Sequence, residues 1–163
     1  MNSECHRIAD QLRLAFHGEA WHGPSVREIL DGITAEQATA RPVAEAHTIW
    51  ELLLHIETWV AQPLATVTLG VPMRDLGVMP VELDWPPVGA TTSQEWTTTK
   101  ARAFQTAEDF AQAIEKFGDA RLGEIVPGRD HPYYILLHGV VQHTLYHAGQ
   151  IALLKKAVSH GQP

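Results

Sequence analysis

In the stretch His138-Gly-Val-Val-Gln-His143-Thr-Leu-Tyr-His147-Ala-Gly-Gln150-Ile, polar side chains recur at the spacing of one helical face. His143 and His147 are four residues apart, so on an α-helix both imidazoles lie on the same face, one turn apart. Gln150 lies seven residues after His143 and continues that face. Two imidazoles placed in this way can bind one cation, as zinc ligation requires. The stretch therefore predicts a helix that carries part of a metal site.

A metal site needs at least a third protein ligand, and His55 is the candidate. It lies within Leu52-Leu-Leu-His55-Ile-Glu-Thr-Trp59, inside an apolar helical pattern and not on a charged face. Burying a lone imidazole there costs free energy unless the ring is hydrogen-bonded or ligated. Alone it would be a core histidine, but His143 and His147 on another helix make ligation the better interpretation. Three histidines from two helices leave positions open for water or substrate.

Apolar residues recur at helical spacing in four long segments. The predicted helices cover residues 3–17, 49 to about 69, 93 to about 117, and about 132 to 158. Shorter helical pieces are expected after Ser25-x-x-Glu28, after Thr34-x-x-Gln37 and within residues 119–130. Pro63 lies inside the second long segment and predicts a kink or a local break there.

No sustained alternation of apolar and polar residues indicates a strand. Residues 70–90 are rich in proline and glycine and predict a long loop, of the kind that often forms a lid or a pocket wall. Four amphipathic helices are most economically buried as a four-helix bundle, so we expect an all-α fold in a single domain over residues 1–163.

Composition narrows the class of protein. The net charge is −7, and the sequence shows no cluster of basic residues of the kind that binds nucleic acid. This argues against a nucleic-acid partner. No apolar run approaches the ~20 residues that span a bilayer, and the polar opening residues do not resemble a signal peptide. Cys5 is the single cysteine, which excludes an internal disulfide and fits a reducing cytoplasm.

Several further residues are candidates for the site. Glu51 lies one turn before His55 and could orient that ring or act as a general base on a metal-bound water, although a capping box with Thr48 also explains it. His47 precedes the cap and either faces the pocket or makes local hydrogen bonds. Trp59 is expected to be a packing residue.

The connection after the first helix and the last helix supply the remaining candidates. Trp21 and His22 could line the pocket mouth, although core packing is favoured for Trp21. Gln150 either contacts a group at the metal or packs with its amide satisfied. Gly139 and Gly149 lie inside a helix, where glycine costs about 1 kcal/mol relative to alanine, and close approach of a neighbouring helix would explain both.

Three phrases together resemble the DinB/YfiT-like superfamily. They are Phe16-His-Gly-Glu-Ala-Trp21-His-Gly-Pro24, His47-Thr-Ile-Trp50-Glu-Leu-Leu-Leu-His55 and His143-Thr-Leu-Tyr-His147-Ala-Gly-Gln150-Ile. The resemblance extends over nearly the whole chain and implies a four-helix bundle with one divalent metal on His55, His143 and His147. Members of this superfamily are often homodimers, and characterised relatives include thiol-dependent transferases and isomerases, which use small thiols such as mycothiol or bacillithiol, and some hydrolases.

These observations predict a cytoplasmic metal-dependent enzyme that activates a water or a thiol on the three histidines, as an S-transferase or a hydrolase. The expected metal is zinc or nickel, since imidazole suits several divalent ions. The expected partners are a small-molecule substrate, a low-molecular-weight thiol and a second copy of the chain. The alternative is a non-catalytic metal-binding structural or stress-response interaction module.

Overall fold

The computed structural model describes residues 3–74 and 79–160, without the side chain of His160. The α-helices in this part of the chain are, in order, α1 (Glu4–His17), α2 (Val26–Leu30), α3 (Ala35–Thr39), α4 (Ile49–Leu69), α5 (Val81–Asp84), α6 (Ser93–Phe117) and α7 (Tyr133–His160). A 3-10 turn covers Asp119–Arg121. No strand forms among the described residues, so the all-α prediction is confirmed, and the four long helices lie close to their predicted bounds.

Side-chain caps fix where the helices begin. The hydroxyls of Ser25, Thr34 and Thr48 each accept a hydrogen bond from the backbone three residues later, and the capping-box partner closes each motif. These contacts satisfy backbone N–H groups that the first helical turn leaves without partners. Helix α4 continues through Pro63 to Leu69, so no local break forms at this proline.

The four long helices pack as a ring in which each contacts two others. Helix α1 packs against α6 and α7, and α4 packs against the same two helices from the opposite side. The largest fully buried side chains come from all four: Phe16, Trp50, Leu53, Phe110, Ile114, Leu137 and Ile151. This arrangement places the middle of α4 beside the middle of α7, where the three histidines lie.

Residues 70–90 are not a plain loop. They include α5, which packs against α4. Before α5, the backbone N–H of Met73 donates to the Pro127 carbonyl over 2.9 Å. Gly128 has φ +79°, and a Cβ there would lie 2.6 Å from the Met73 carbonyl oxygen, so only glycine fits this approach. The two connections are therefore joined beside the α4–α7 interface.

Two expectations about packing are wrong. Trp21 is fully exposed, with 101% relative accessibility, because it lies on the turn after α1 and not under a helix. A Cβ built on Gly139 or Gly149 would meet no heavy atom within 4 Å, so no neighbouring helix approaches either glycine closely.

The length and hydrophobicity of the helices decide whether any of them could span a membrane. None of the helices in residues 3–74 and 79–160 combines the length and the apolar character that crossing a bilayer requires.

Candidate metal centre

The contact between α4 and α7 brings the three predicted histidines together. The Nε2 atom of His143 lies 3.1 Å from Nε2 of His55 and 3.1 Å from Nε2 of His147. Nitrogen atoms from all three rings lie within 4.8 Å of one another, so the group could hold a metal ion. The four-residue spacing on α7 and the mid-helix place of His55 produce this convergence.

The outer nitrogens of two rings are held by oxygen acceptors. Nδ1 of His55 is 2.7 Å from the backbone oxygen of Asp84, and Nδ1 of His147 is 2.8 Å from the side-chain oxygen of Gln150. A carbonyl oxygen can only accept, so each Nδ1 carries the hydrogen and donates it. In the neutral ring the Nε2 atom then has a lone pair, which faces the other two histidines.

This tautomer leaves too few hydrogens for the central contacts. His55 and His147 both direct lone pairs from Nε2 at His143, whose own Nε2 carries at most one hydrogen. At least one of the two 3.1 Å contacts therefore brings two lone pairs together, which is unfavourable between neutral rings. A cation that accepts all three lone pairs removes this conflict, so the donor set fits a metal ion.

Burial keeps the three rings neutral. His55 and His147 are only 5% and 7% exposed. Loss of hydration lowers the pKa of both imidazoles below the ordinary value. Burial likewise lowers the pKa of His143 to about 4, with further lowering by the neighbouring His147 and His55. Neutral imidazole is the form that binds metal, so the site favours ligation near neutral pH.

The ring separations suit a single ion. Two nitrogens bound at 2.0–2.1 Å to a tetrahedral zinc lie roughly 3.3–3.4 Å apart. The separations of 3.1 Å from His143 Nε2 are within a few tenths of an ångström of that value. Three protein nitrogens leave one tetrahedral position for another ligand, which is the pattern of catalytic and not of structural zinc sites.

The segment that follows α5 covers the site. The indole of Trp85 stacks between two imidazoles, with ring centroids 3.8 Å from His55 and 3.5 Å from His47. The Asp84 carboxylate accepts a hydrogen bond from Nε1 of Trp59 at 2.8 Å and lies 3.3 Å from Nδ1 of His55. Asp84 thus contacts the His55 ring through both its backbone and its side chain, which fixes the orientation of the ring.

Glu51 is occupied by other contacts. Its carboxylate accepts from the backbone N–H of Thr48 at 2.7 Å, pairs with Arg41 at 2.8 Å, and lies 3.4 Å from Nδ1 of His47. Burial alone would raise the pKa of Glu51, but the Thr48 N–H and the Arg41 charge outweigh it, so the pKa lies below its ordinary value. The structure thus shows Glu51 as a cap, and its role as a base stays a prediction.

A cavity of about 250 Å³ lies beside the histidines. Its lining residues are Trp59, Met73, Arg129, His131, Ile135, Leu136, Gly139, Val140 and His143. Among the three histidines, His143 is the one that borders this space. Trp21 and His22, both exposed, are not among its lining residues, and their place at a pocket mouth stays a prediction. Gln150 and His47 border a separate depression, which lies further along α7 and also contacts Leu153 and Leu154.

Three contacts at the site lie outside the sequence interpretation. Asp84 and Trp85 follow Pro80 in a segment too short for a periodic pattern, and Trp59 was expected only to pack. Four of the five tryptophans of the chain are at least partly buried. Buried tryptophan rings usually have a polar or stacking partner, and this general tendency is the only indication of these contacts that the sequence offers.

Comparison with known proteins agrees with this architecture. Searches for similar proteins of curated function and for similar solved structures gave no match. Residues 21–151 match the DinB superfamily, a range that includes His55, His143 and His147 and covers most of the chain. The chain therefore belongs to the DinB superfamily.

Proposed function

We propose that this protein is a metal-dependent enzyme in which His55, His143 and His147 hold one divalent ion that activates a water or a thiol. The observation that carries the proposal is the convergence of the three Nε2 atoms, together with the acceptors on Nδ1 of His55 and His147 that leave the Nε2 lone pairs of these two rings free for an ion. A divalent ion held there would supply Lewis-acid chemistry, lowering the pKa of a water or thiol toward neutrality.

The chain's own residues have separate tasks in this scheme. Asp84 and Gln150 fix two imidazole rings by accepting from Nδ1. Trp85 excludes water from one face of His55 by stacking on it. These contacts hold the ligand set rigid and leave access from the side of His143, where the cavity lies.

Catalysis is favoured over a non-catalytic role by the combination of an open ligand position and an adjoining cavity. A purely structural metal site is normally closed by four protein ligands, whereas the described residues bring three here. Thiol transfer and hydrolysis both need a nucleophile made at the metal and a pocket for the second reactant. Zinc or nickel suits the all-imidazole set, and the family resemblance adds a low-molecular-weight thiol as the candidate co-reactant.

The test compares metal-loaded and metal-free protein in two assays. One measures displacement of chloride from 1-chloro-2,4-dinitrobenzene by a small thiol such as cysteamine, and the other measures hydrolysis of 4-nitrophenyl acetate. We expect zinc- or nickel-dependent turnover in one assay, abolished in His143→Ala and retained in the matched control His138→Ala on the same helix. Full metal loading with no turnover in either assay or in a wider set of electrophiles and esters would favour the non-catalytic metal-binding module.

A further inference from the structure

The cavity beside His143 is mostly apolar. The side chains of Trp59, Met73, Ile135, Leu136 and Val140 form most of its lining. Its volume of about 250 Å³ lies just below the ~300–1,000 Å³ typical of small-ligand pockets, so it suits a compact group. Among the described residues that line it, the site histidine His143 is the one that also belongs to the metal centre.

Gly139 is the residue that keeps this space open. It lies four positions before His143, so both residues are on the same face of α7. Glycine weakens a helix interior, and no neighbouring helix comes close enough to require it here. Because Gly139 lines the cavity and a Cβ built on it meets no heavy atom within 4 Å, a side chain at this position has room to extend into the cavity.

The rim of the cavity is fixed in place. The Met73 N–H donates to the Pro127 carbonyl, and Nη2 of Arg129 donates to the backbone oxygen of Arg74 at 2.6 Å. Gly128 permits the close approach of the two connections. Because both connections are held by hydrogen bonds, the cavity is formed before any ligand enters, which lowers the entropic cost of binding.

We propose that this cavity binds the apolar part of the substrate, a short alkyl or aryl group lying across Gly139, with the polar reacting end at His143. This inference rests on the proposed metal-dependent function and adds its substrate class. Gly139 is then a specificity-determining residue, since the space above it sets the length of the group that can be accommodated.

The experiment uses zinc-loaded protein and two ligands that share a zinc-binding head, acetohydroxamate and hexanohydroxamate. Each buried methylene strengthens binding by up to about fourfold, so we expect the longer ligand to bind at least about tenfold more tightly. Gly139→Leu places a side chain in the space meant for the alkyl chain and should bring the ratio of the two affinities close to one, with zinc content unchanged. Gly149→Leu, on an exposed position of the same helix, is the matched control and should keep the wild-type ratio.

Equal affinity for the two ligands in wild type, or an unchanged ratio in Gly139→Leu, would overturn the proposal. A second experiment separates the pocket proposal from the metal hypothesis, because it uses metal-free protein. Binding of 1-hexanol is followed by NMR through the backbone amide signals of Gly139 and Gly149. Hexanol should shift the Gly139 signal and leave the Gly149 signal in place. If neither hydroxamate binds but hexanol shifts Gly139, the metal-dependent function fails and the apolar pocket stands; if hexanol leaves Gly139 unshifted, the pocket proposal is rejected.

Discussion

At His55 and His147, a neutral oxygen acceptor decides which ring nitrogen carries the proton. The Asp84 carbonyl and the Gln150 side-chain oxygen each take the hydrogen of Nδ1, and the Nε2 lone pair is left for the site. Such partners raise the basicity of a ligating imidazole and fix its orientation. The metal affinity of the site should therefore depend on residues that never contact the ion.

Gln150→Leu tests this at a single residue. Removing the acceptor lets the neutral His147 ring exchange its proton between Nδ1 and Nε2, and the ring loses its fixed orientation. We expect zinc affinity to fall by roughly 10–100-fold, measured by competition with a chelating dye.

The control for that change is Gln142→Leu, at an exposed position of the same helix. It makes the same chemical replacement away from the three rings and should leave zinc affinity unaltered. Equal affinity in wild type and Gln150→Leu would show that the hydrogen bond to His147 does not tune the site.

At the scale of elements, the short helix α5 and the residue after it cover His55 in the three-histidine cluster. Trp85 stacks between His47 and His55, and Asp84 connects this cover to α4 through Trp59. The stacked faces are nearly parallel, at 3° and 7°, so the indole shields one side of His55 from solvent.

Trp85→Ala removes the stacking surface while α5 and its backbone contact to His55 remain. We expect the free energy of unfolding to fall by about 1–3 kcal/mol, because a half-buried aromatic ring and its two partners lose contact. Chemical denaturation measures the change.

Trp21→Ala is the matched control, since Trp21 is fully exposed and its removal should change the free energy of unfolding by less than about 0.5 kcal/mol. Equal destabilisation by both replacements would contradict the role assigned to Trp85.

The elements also show how far sequence patterns reach. Capping boxes and 3.6-residue periodicity depend on neighbours in the chain, so the bounds of α4 and the facing of His143 and His147 could be predicted. The contact of Asp84 with His55 joins residues 29 apart and depends on how the chain turns after Pro80, which no local pattern encodes. The sequence also cannot show why glycine stands at position 139, because a close helix contact and an open cavity are both compatible with glycine, and only the folded structure distinguishes them.

At the scale of the whole molecule, ion pairs join the first helix to the third long one. Arg13 on α1 pairs with Glu108 at 3.0 Å and with Glu115 at 2.5 Å on α6. The hydrogen bonds from Arg13 lower the pKa of both carboxyl groups below the ordinary value of 4.5. Carboxyls with a lowered folded-state pKa add stability above pH 4.5, and that contribution is lost as the pH falls through the lowered values.

Arg13→Met should therefore lower the free energy of unfolding by roughly 0.5–1 kcal/mol near neutral pH. The difference from wild type should shrink as the pH is lowered from about 6 to about 3, because the carboxyls then become protonated in both proteins. Denaturation curves at a series of pH values measure it.

Lys156→Met makes the same change of charge at an exposed residue near the end of α7, and its difference from wild type should be small at every pH. A pH-independent difference for Arg13→Met would mean that packing of its side chain, and not the ion pairs, joins the two helices.

The bundle packs α4 against α7 and thereby brings His55 beside His143 and His147. The most direct test of the metal assignment is therefore the amount of metal that the chain holds. Purified protein is loaded with zinc, freed of excess ion by dialysis and examined by elemental analysis, as wild type, His55→Ala, His143→Ala, His147→Ala and the control His138→Ala. We predict close to one zinc per chain in wild type and His138→Ala, and far less in the other three variants, with circular dichroism showing that the helices persist. Wild-type protein that retains no zinc or nickel, or ligand variants that retain as much as wild type, would contradict the assignment of the three histidines as a metal centre.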